Sequence, residues 1–223
     1  MGLLKKARTK SLEVCADIMD RRYSKRMQRK LRDRDFLIIC PTCIGGVMYH
    51  RLGMEFLSPT INLWMSQPDF IKFASRLKEY LDKELVFAPD EAAYPVGMLD
   101  DVKIHFSHYK SEEQARIAWD RRKARVRFDN LFLILFDRDG ITREDMLKFG
   151  EIPCKNRIIL SDREFPDIPY VKTVRPNNND IKERRLMDKD WKKRWTFEKK
   201  WDYVQWLNTQ EQELRNNEKI KAN

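Results

Sequence analysis

The chain has 223 residues, 42% of them hydrophobic and 36% charged, with a formal net charge of +10. That length buries a real core in one compact domain with appendages, and no apolar run approaches the roughly 18 residues that a membrane span needs. Four cysteines without a recognisable export signal read as reduced thiols rather than a disulfide framework, so the expected location is the cytoplasm.

The charge is uneven. Residues 1–34 carry 12 basic and 4 acidic groups, residues 35–180 carry 21 and 23, and residues 181–201 carry 9 and 4. A nucleic-acid reader would place its excess charge on the folded face, so nucleic acid is not the expected partner. Basic ends fit an anionic surface or partner, or equally a set of solvated helix faces.

In chain order, residues 3 to 32 lack proline and interior glycine, and Leu12, Val14, Ile18, Met19, Tyr23 and Met27 recur at helical steps, which predicts one helix or two. Phe36 to Cys40 is a continuous apolar run ended by Pro41, hence a buried strand. Gly45 and Gly46 then open a helical segment that stops at Gly53. Ile61 to Met65 reads as a second strand. Ser66 caps a helix through Leu81, Leu85 to Ala88 is a short strand, Pro89 to Pro95 is a loop, and Val102 to Phe106 alternates as a half-exposed strand does.

Ser111 and Gln114 make a capping box for the helix carrying Ala115, Ala118 and Trp119. Leu131 to Phe136 is the most hydrophobic strand and belongs at a sheet centre. Thr142 with Asp145 caps a helix ending at Gly150. Arg157 to Leu160 and Val171 to Val174 close the sheet, and from Ile181 onward the chain reads as a helix with Trp191, Trp195 and Trp201 among lysines and arginines. The predicted fold is α/β: a layered, mostly parallel sheet with helices on both faces, plus basic helices at both ends. Its divisions are a basic helical arm (1–34), an α/β core (35–180), and a basic, Trp-rich C-terminal helix with a frayed tail (181–223).

Four motifs carry chemistry. The turn after Phe36 to Cys40 lies where open α/β sheets bind ligands. There the amides of Gly45 and Gly46 would approach a donor phosphate, unless the glycines serve only to turn and pack. Cys40-Pro41-Thr42-Cys43 resembles the CPxC of glutaredoxins, which makes thiol redox an alternative, and a cysteine at a helix start has a lowered pKa. Asp137-Arg138-Asp139 resembles the DxD of sugar-nucleotide glycosyltransferases, whose carboxylates hold Mg²⁺ or Mn²⁺; the plain alternative is a turn. His105 and His108 lie at the end of a strand, where residues three apart face opposite ways, so only one of them is expected to point into a shared crevice, either as general acid or base or as a plain hydrogen-bonded surface histidine.

Taken together, CIGG (43–46), RLG (51–53), SPT (58–60), the stretch from Tyr94 to Ala115, WDRRKARV (119–126) and DNLFLILFDRDG (129–140) carry a resemblance to a bacterial family of unknown biochemical function. That family is labelled exopolysaccharide or capsular polysaccharide biosynthesis protein. The resemblance covers roughly residues 33 to 175. It implies a layered α/β fold and a setting in surface-glycan assembly.

The resulting expectation is a transferase that uses a nucleotide-activated sugar or another phosphate-bearing donor on a glycan precursor. Cys43, His105 and His108 would be catalytic, Gly45, Gly46, Arg121 and Arg122 would hold the donor, and Asp137 and Asp139 would hold Mg or Mn. The alternative is a non-catalytic assembly partner whose basic ends dock on an acidic protein or peripherally at the inner face of the membrane.

Overall fold

The computed structural model describes residues 2–137, 140–174, 189–190 and 192–209, with side chains from Thr9 onward. The chain divides into two compact units. One comprises Asp35–His50 and Met54–Thr173, and the other Met1–Arg34, Arg51–Gly53 and Val174–Asn223.

The larger unit is built on four parallel strands in the order β1 (Leu37–Ile39), β5 (Leu131–Phe136), β6 (Asn156–Ser161), β7 (Val171–Thr173). Leu37 lies opposite Leu131 and Ile39 opposite Leu133, while Phe132 to Phe136 face Asn156 to Leu160 across the other edge of β5. β5 is therefore an interior strand, and Phe132 through Phe136 are all buried. A strand covered on both faces has no reason to alternate, which is why its sequence is a continuous apolar run.

Helix α2 (Ile44–Arg51) follows β1, α5 (Glu112–Lys123) precedes β5, and α6 (Arg143–Glu151) joins β5 to β6. Their caps are those expected: the Ser111 hydroxyl accepts from the Gln114 amide and the Thr142 hydroxyl from the Asp145 amide.

Three expectations fail here for physical reasons. Val102 to Phe106 does not join the parallel sheet; β4 (Val102–His105) forms a separate antiparallel meander with β3 (Val96–Leu99) and β2 (Leu85–Phe87). A two-residue turn, Asp100-Asp101, with Asp100 in the left-handed region at φ 55°, folds β4 directly back on β3, so the local hairpin wins. Ile61 to Met65 is not a strand: Asn62 has φ 63°, and the segment contributes one bridge, Trp64 to His105. The helix from Ser66 also breaks, at Arg76, into α3 (Gln67–Ser75) and α4 (Leu77–Asp82). α3 packs against α6, β4 and β5, so Phe70, Phe73 and Ala74 share one core with Leu99, Val102 and Ile104 of the meander and Leu133 and Leu135 of the parallel sheet.

The smaller unit is organised by α1 (Gly2–Lys30), one continuous helix. Its C-terminal end is capped by Asn208, whose side chain accepts from the Arg32 amide and donates to the Lys30 carbonyl, each at 2.9 Å. The expected continuous C-terminal helix is not formed among the described residues. α7 (Thr196–Lys200) and α8 (Tyr203–Leu207) are separated by Trp201 in an extended conformation. Asp202 starts α8 afresh by accepting the Gln205 amide, and Trp201 is buried with its ring 5.1 Å from that of Trp206. Trp191 lies outside the described residues. No described helix is long and apolar enough to cross a membrane.

Candidate active site

Because β1 and β5 run parallel, the chain leaves both strands at the same edge of the sheet. Cys40 to Cys43 lies at that edge between β1 and α2, and it is locked by its own backbone. The Cys40 thiol, fully buried, donates to the Thr42 carbonyl at 3.0 Å and accepts from the Gly45 amide at 3.2 Å. The Cys40 amide donates to the Thr60 hydroxyl, which contacts the Ser58 hydroxyl at 3.0 Å; this is the physical content of the Ser58-Pro59-Thr60 block. Burial pushes the Cys40 thiol up to about 11, so this sulfur is an inert structural acceptor.

Cys43 differs. It stands at the start of α2, where its carbonyl accepts from the Val47 amide, and its half-buried thiol lies 3.1 Å from Nε2 of the exposed His108. A thiol at a helix N-terminus beside an imidazole is the arrangement that turns cysteine into a nucleophile. In such an arrangement an imidazole can receive and return the thiol proton.

His105 is placed elsewhere. β4 ends at His105, and the following turn sends His108 toward Cys43, while the His105 ring stacks on Trp64 at 3.7 Å with an interplanar angle of 4°. Burial lowers its pKa. Trp64 Nε1 donates to the Tyr94 hydroxyl at 3.3 Å, and the Met65 amide donates to the Pro41 carbonyl, so this aromatic group is tied to the cysteine loop through the backbone.

Three of the four residues expected to hold a donor, Gly45, Gly46 and Arg122, are occupied by packing. A Cβ on Gly45 would come 2.9 Å from the Cys40 sulfur, and one on Gly46 would come 3.2 Å from a methyl of Ile61, so both glycines let α2 approach its neighbours. Arg122 is buried; its Nη1 donates to the Ile61 carbonyl at 2.9 Å and the Tyr109 hydroxyl at 2.6 Å. Arg121 is exposed on α5.

Asp137 does leave β5 at the same edge as Cys43. Its carboxylate, though, takes two nitrogens of Arg163 at 3.0–3.1 Å, the Ser161 hydroxyl at 2.6 Å and the Ile141 amide at 3.1 Å. Those donors fill its lone pairs, which gives it the role of a tether between β5, β6 and the α6 entry. Asp139 lies outside the described residues. Among the described residues no cluster of three or more His, Cys, Asp or Glu is placed to hold a metal ion.

Sequence reasoning did not single out Tyr109 and Ile61, which join Arg122 to the two halves of the pair. The tyrosine's position next to His108 was the signal that would have found it.

Residues 14–208 match a family described as domain of unknown function DUF1919. The chain belongs to this family. The match extends beyond the core on both sides, taking in α1 from residue 14 and the described C-terminal helices α7 and α8. A Haemophilus influenzae protein described as uncharacterized is 36% identical over 187 residues, which is 82% of this chain and 88% of the relative.

Proposed function

We propose that this DUF1919 protein is a transferase that carries an acyl group on Cys43, from an activated donor to a hydroxyl of a glycan precursor. The observation that carries this reading is the 3.1 Å approach of the Cys43 sulfur to His108 Nε2 at the start of α2. A cysteine nucleophile forms thioesters, whereas glycosyl transfer and hydrolysis more often rest on paired carboxylates. Asp137 is held by Arg163 and Ser161, and the two glycines and Arg122 are packed, so the nucleotide-sugar arm of the expectation has the weaker support. The glycan acceptor follows from the resemblance carried by the CIGG, SPT and DNLFLILFDRDG blocks.

In the first step His108 takes the Cys43 proton and the thiolate attacks the donor carbonyl carbon. A sulfur–carbon bond forms, the bond from the carbonyl carbon to the leaving group breaks, and the leaving group departs carrying the proton given up by His108, which is neutral again. In the second step His108 accepts the proton of the acceptor hydroxyl, the alkoxide oxygen attacks the enzyme thioester, and Cys43 is released and reprotonated.

A second reading, a non-catalytic partner, is favoured by Leu12, Val14, Ile18 and Met19, apolar residues of α1 that are 38–53% exposed. Release of free thiol from an acyl thioester in the presence of a saccharide separates the two. Turnover should fall at least about a hundredfold in Cys43→Ser and His108→Gln; equal rates in all three proteins would remove the catalytic reading.

A further inference from the structure

We propose that Arg122 is a positioning residue for the Cys43–His108 pair, acting through Tyr109 and the Ile61 carbonyl. The inference rests on the reading of that pair given above. The sulfur and the imidazole are 65 residues apart in sequence, so something must hold their two chain segments in register. On one side, His108 sits in the turn closed by the Tyr109 amide donating to the Phe106 carbonyl, and the Tyr109 ring lies edge-on to Phe106 at 5.8 Å. On the other side, the first turn of α2 rests on Ile61, whose side-chain carbons lie 3.2 and 3.7 Å from the Cβ positions of Gly46 and Gly45.

Arg122 joins the two. One guanidinium nitrogen donates to both the Ile61 carbonyl and the Tyr109 hydroxyl, and that hydroxyl also donates to the Ile61 carbonyl at 3.4 Å.

Stability alone does not account for an arginine at this place. Arg122 is 5% exposed, its guanidinium lies 5.3 Å over the Phe56 ring, its bonded partners are a carbonyl and a phenol, and its Nε is buried without a partner among the described residues. Burying a cation among neutral acceptors is costly, and a well-packed apolar side chain of similar size commonly serves a fold as well or better. What an apolar residue cannot do is bond at once to the segment under α2 and to the residue next to His108. Its bonds therefore serve geometry, and its removal should loosen the pair more than the fold.

The test reads the pair without needing a substrate. The rate of Cys43 alkylation by iodoacetamide is followed against pH, resolved by peptide mass spectrometry because Cys15 is also exposed, in the full chain and in Arg122→Met, Arg122→Lys and Tyr109→Phe. Urea unfolding is measured in parallel. Wild type should show an inflection below the ordinary thiol value of about 8.5. Arg122→Met and Tyr109→Phe should move it upward and slow alkylation at pH 7 by about tenfold, with Arg122→Lys intermediate. Tyr109→Phe keeps the ring and deletes only the hydroxyl, so it decides the question if Arg122→Met does not fold. A wild-type inflection below 8.5 that stays unchanged in folded Arg122→Met or Tyr109→Phe overturns the positioning role and leaves the Cys43–His108 reading standing. An ordinary inflection in wild type overturns both.

Discussion

Arg51 and Glu198 form a buried two-pronged ion pair, Nε to Oε1 at 2.8 Å and Nη2 to Oε2 at 3.0 Å, between the last residue of α2 and a residue of α7. Arg51 also donates to Asp20 at 2.6 Å and to the Ser24 hydroxyl at 2.9 Å, both on α1. The Glu198 carboxylate further accepts the Trp195 amide. One guanidinium thus fastens α1 and the C-terminal segment within the smaller unit.

Removing one partner from such a pair leaves a buried charge unmatched, which costs about 3–5 kcal/mol. Glu198→Gln and Arg51→Met should each lower the urea midpoint sharply. The double variant should lose less than the sum of the two, because it leaves neither member of the buried Arg51–Glu198 pair unmatched. Additive losses would show that the two residues act separately.

The glycines after Cys43 make a second prediction. Gly45→Ala gains helix propensity of about 1 kcal/mol but sets a methyl 2.9 Å from the Cys40 sulfur and 3.3 Å from Ile38, and overpacking of this kind costs about 1–3 kcal/mol. The net effect should be a loss of stability without any ligand present, larger than for Gly46→Ala. A neutral Gly45→Ala in urea unfolding would return these glycines to a ligand-binding role.

Asp137 tests the tether against the metal reading. Asp137→Ala removes a carboxylate that is 3% exposed and strands the Ser161 hydroxyl and the Ile141 amide, so it should destabilise by about 2–3 kcal/mol. Mn²⁺ should leave the melting temperature of wild type and variant unchanged. A Mn²⁺-dependent rise confined to wild type would show that Asp137 holds a metal.

His105 gives a pH dependence. Burial against Trp64 depresses its pKa in the folded state below the unfolded value of about 6.5, so the unfolded chain binds the proton more readily. The stability this contributes is present above pH 6.5 and is lost as pH falls through the lower folded value. Measured by urea unfolding over that interval, His105→Phe should keep the stack and flatten the dependence. A slope identical to wild type would assign the titration to another group.

The sequence made some of this legible. Leu131 to Phe136 announced an interior strand because burial on both faces needs an unbroken apolar run, and Ser66, Ser111 and Thr142 announced helix starts because capping is local chemistry. Val102 to Phe106 was recognisable as a strand but not as a hairpin arm, since alternation reports exposure and not the pairing partner; Val96–Leu99, with Gly97 inside it, carried too weak a signal to supply that partner. Cys43, His105 and His108 were all visible as reactive residues. Which histidine meets the thiol depends on where β4 ends and on the Arg122, Tyr109 and Ile61 contacts, which join residues 13 to 61 positions apart. The buried role of Arg122 was illegible for the same reason: its neighbours Arg121 and Lys123 look alike in sequence, and only the helix phase turns one of them inward.

The most direct measurement is peptide mass spectrometry of the protein after brief exposure to an acyl thioester. The account predicts an acyl group on Cys43, absent in Cys43→Ala and formed far more slowly in His108→Gln. Acylation spread over exposed groups such as Cys15, with Cys43 unmodified, would contradict it.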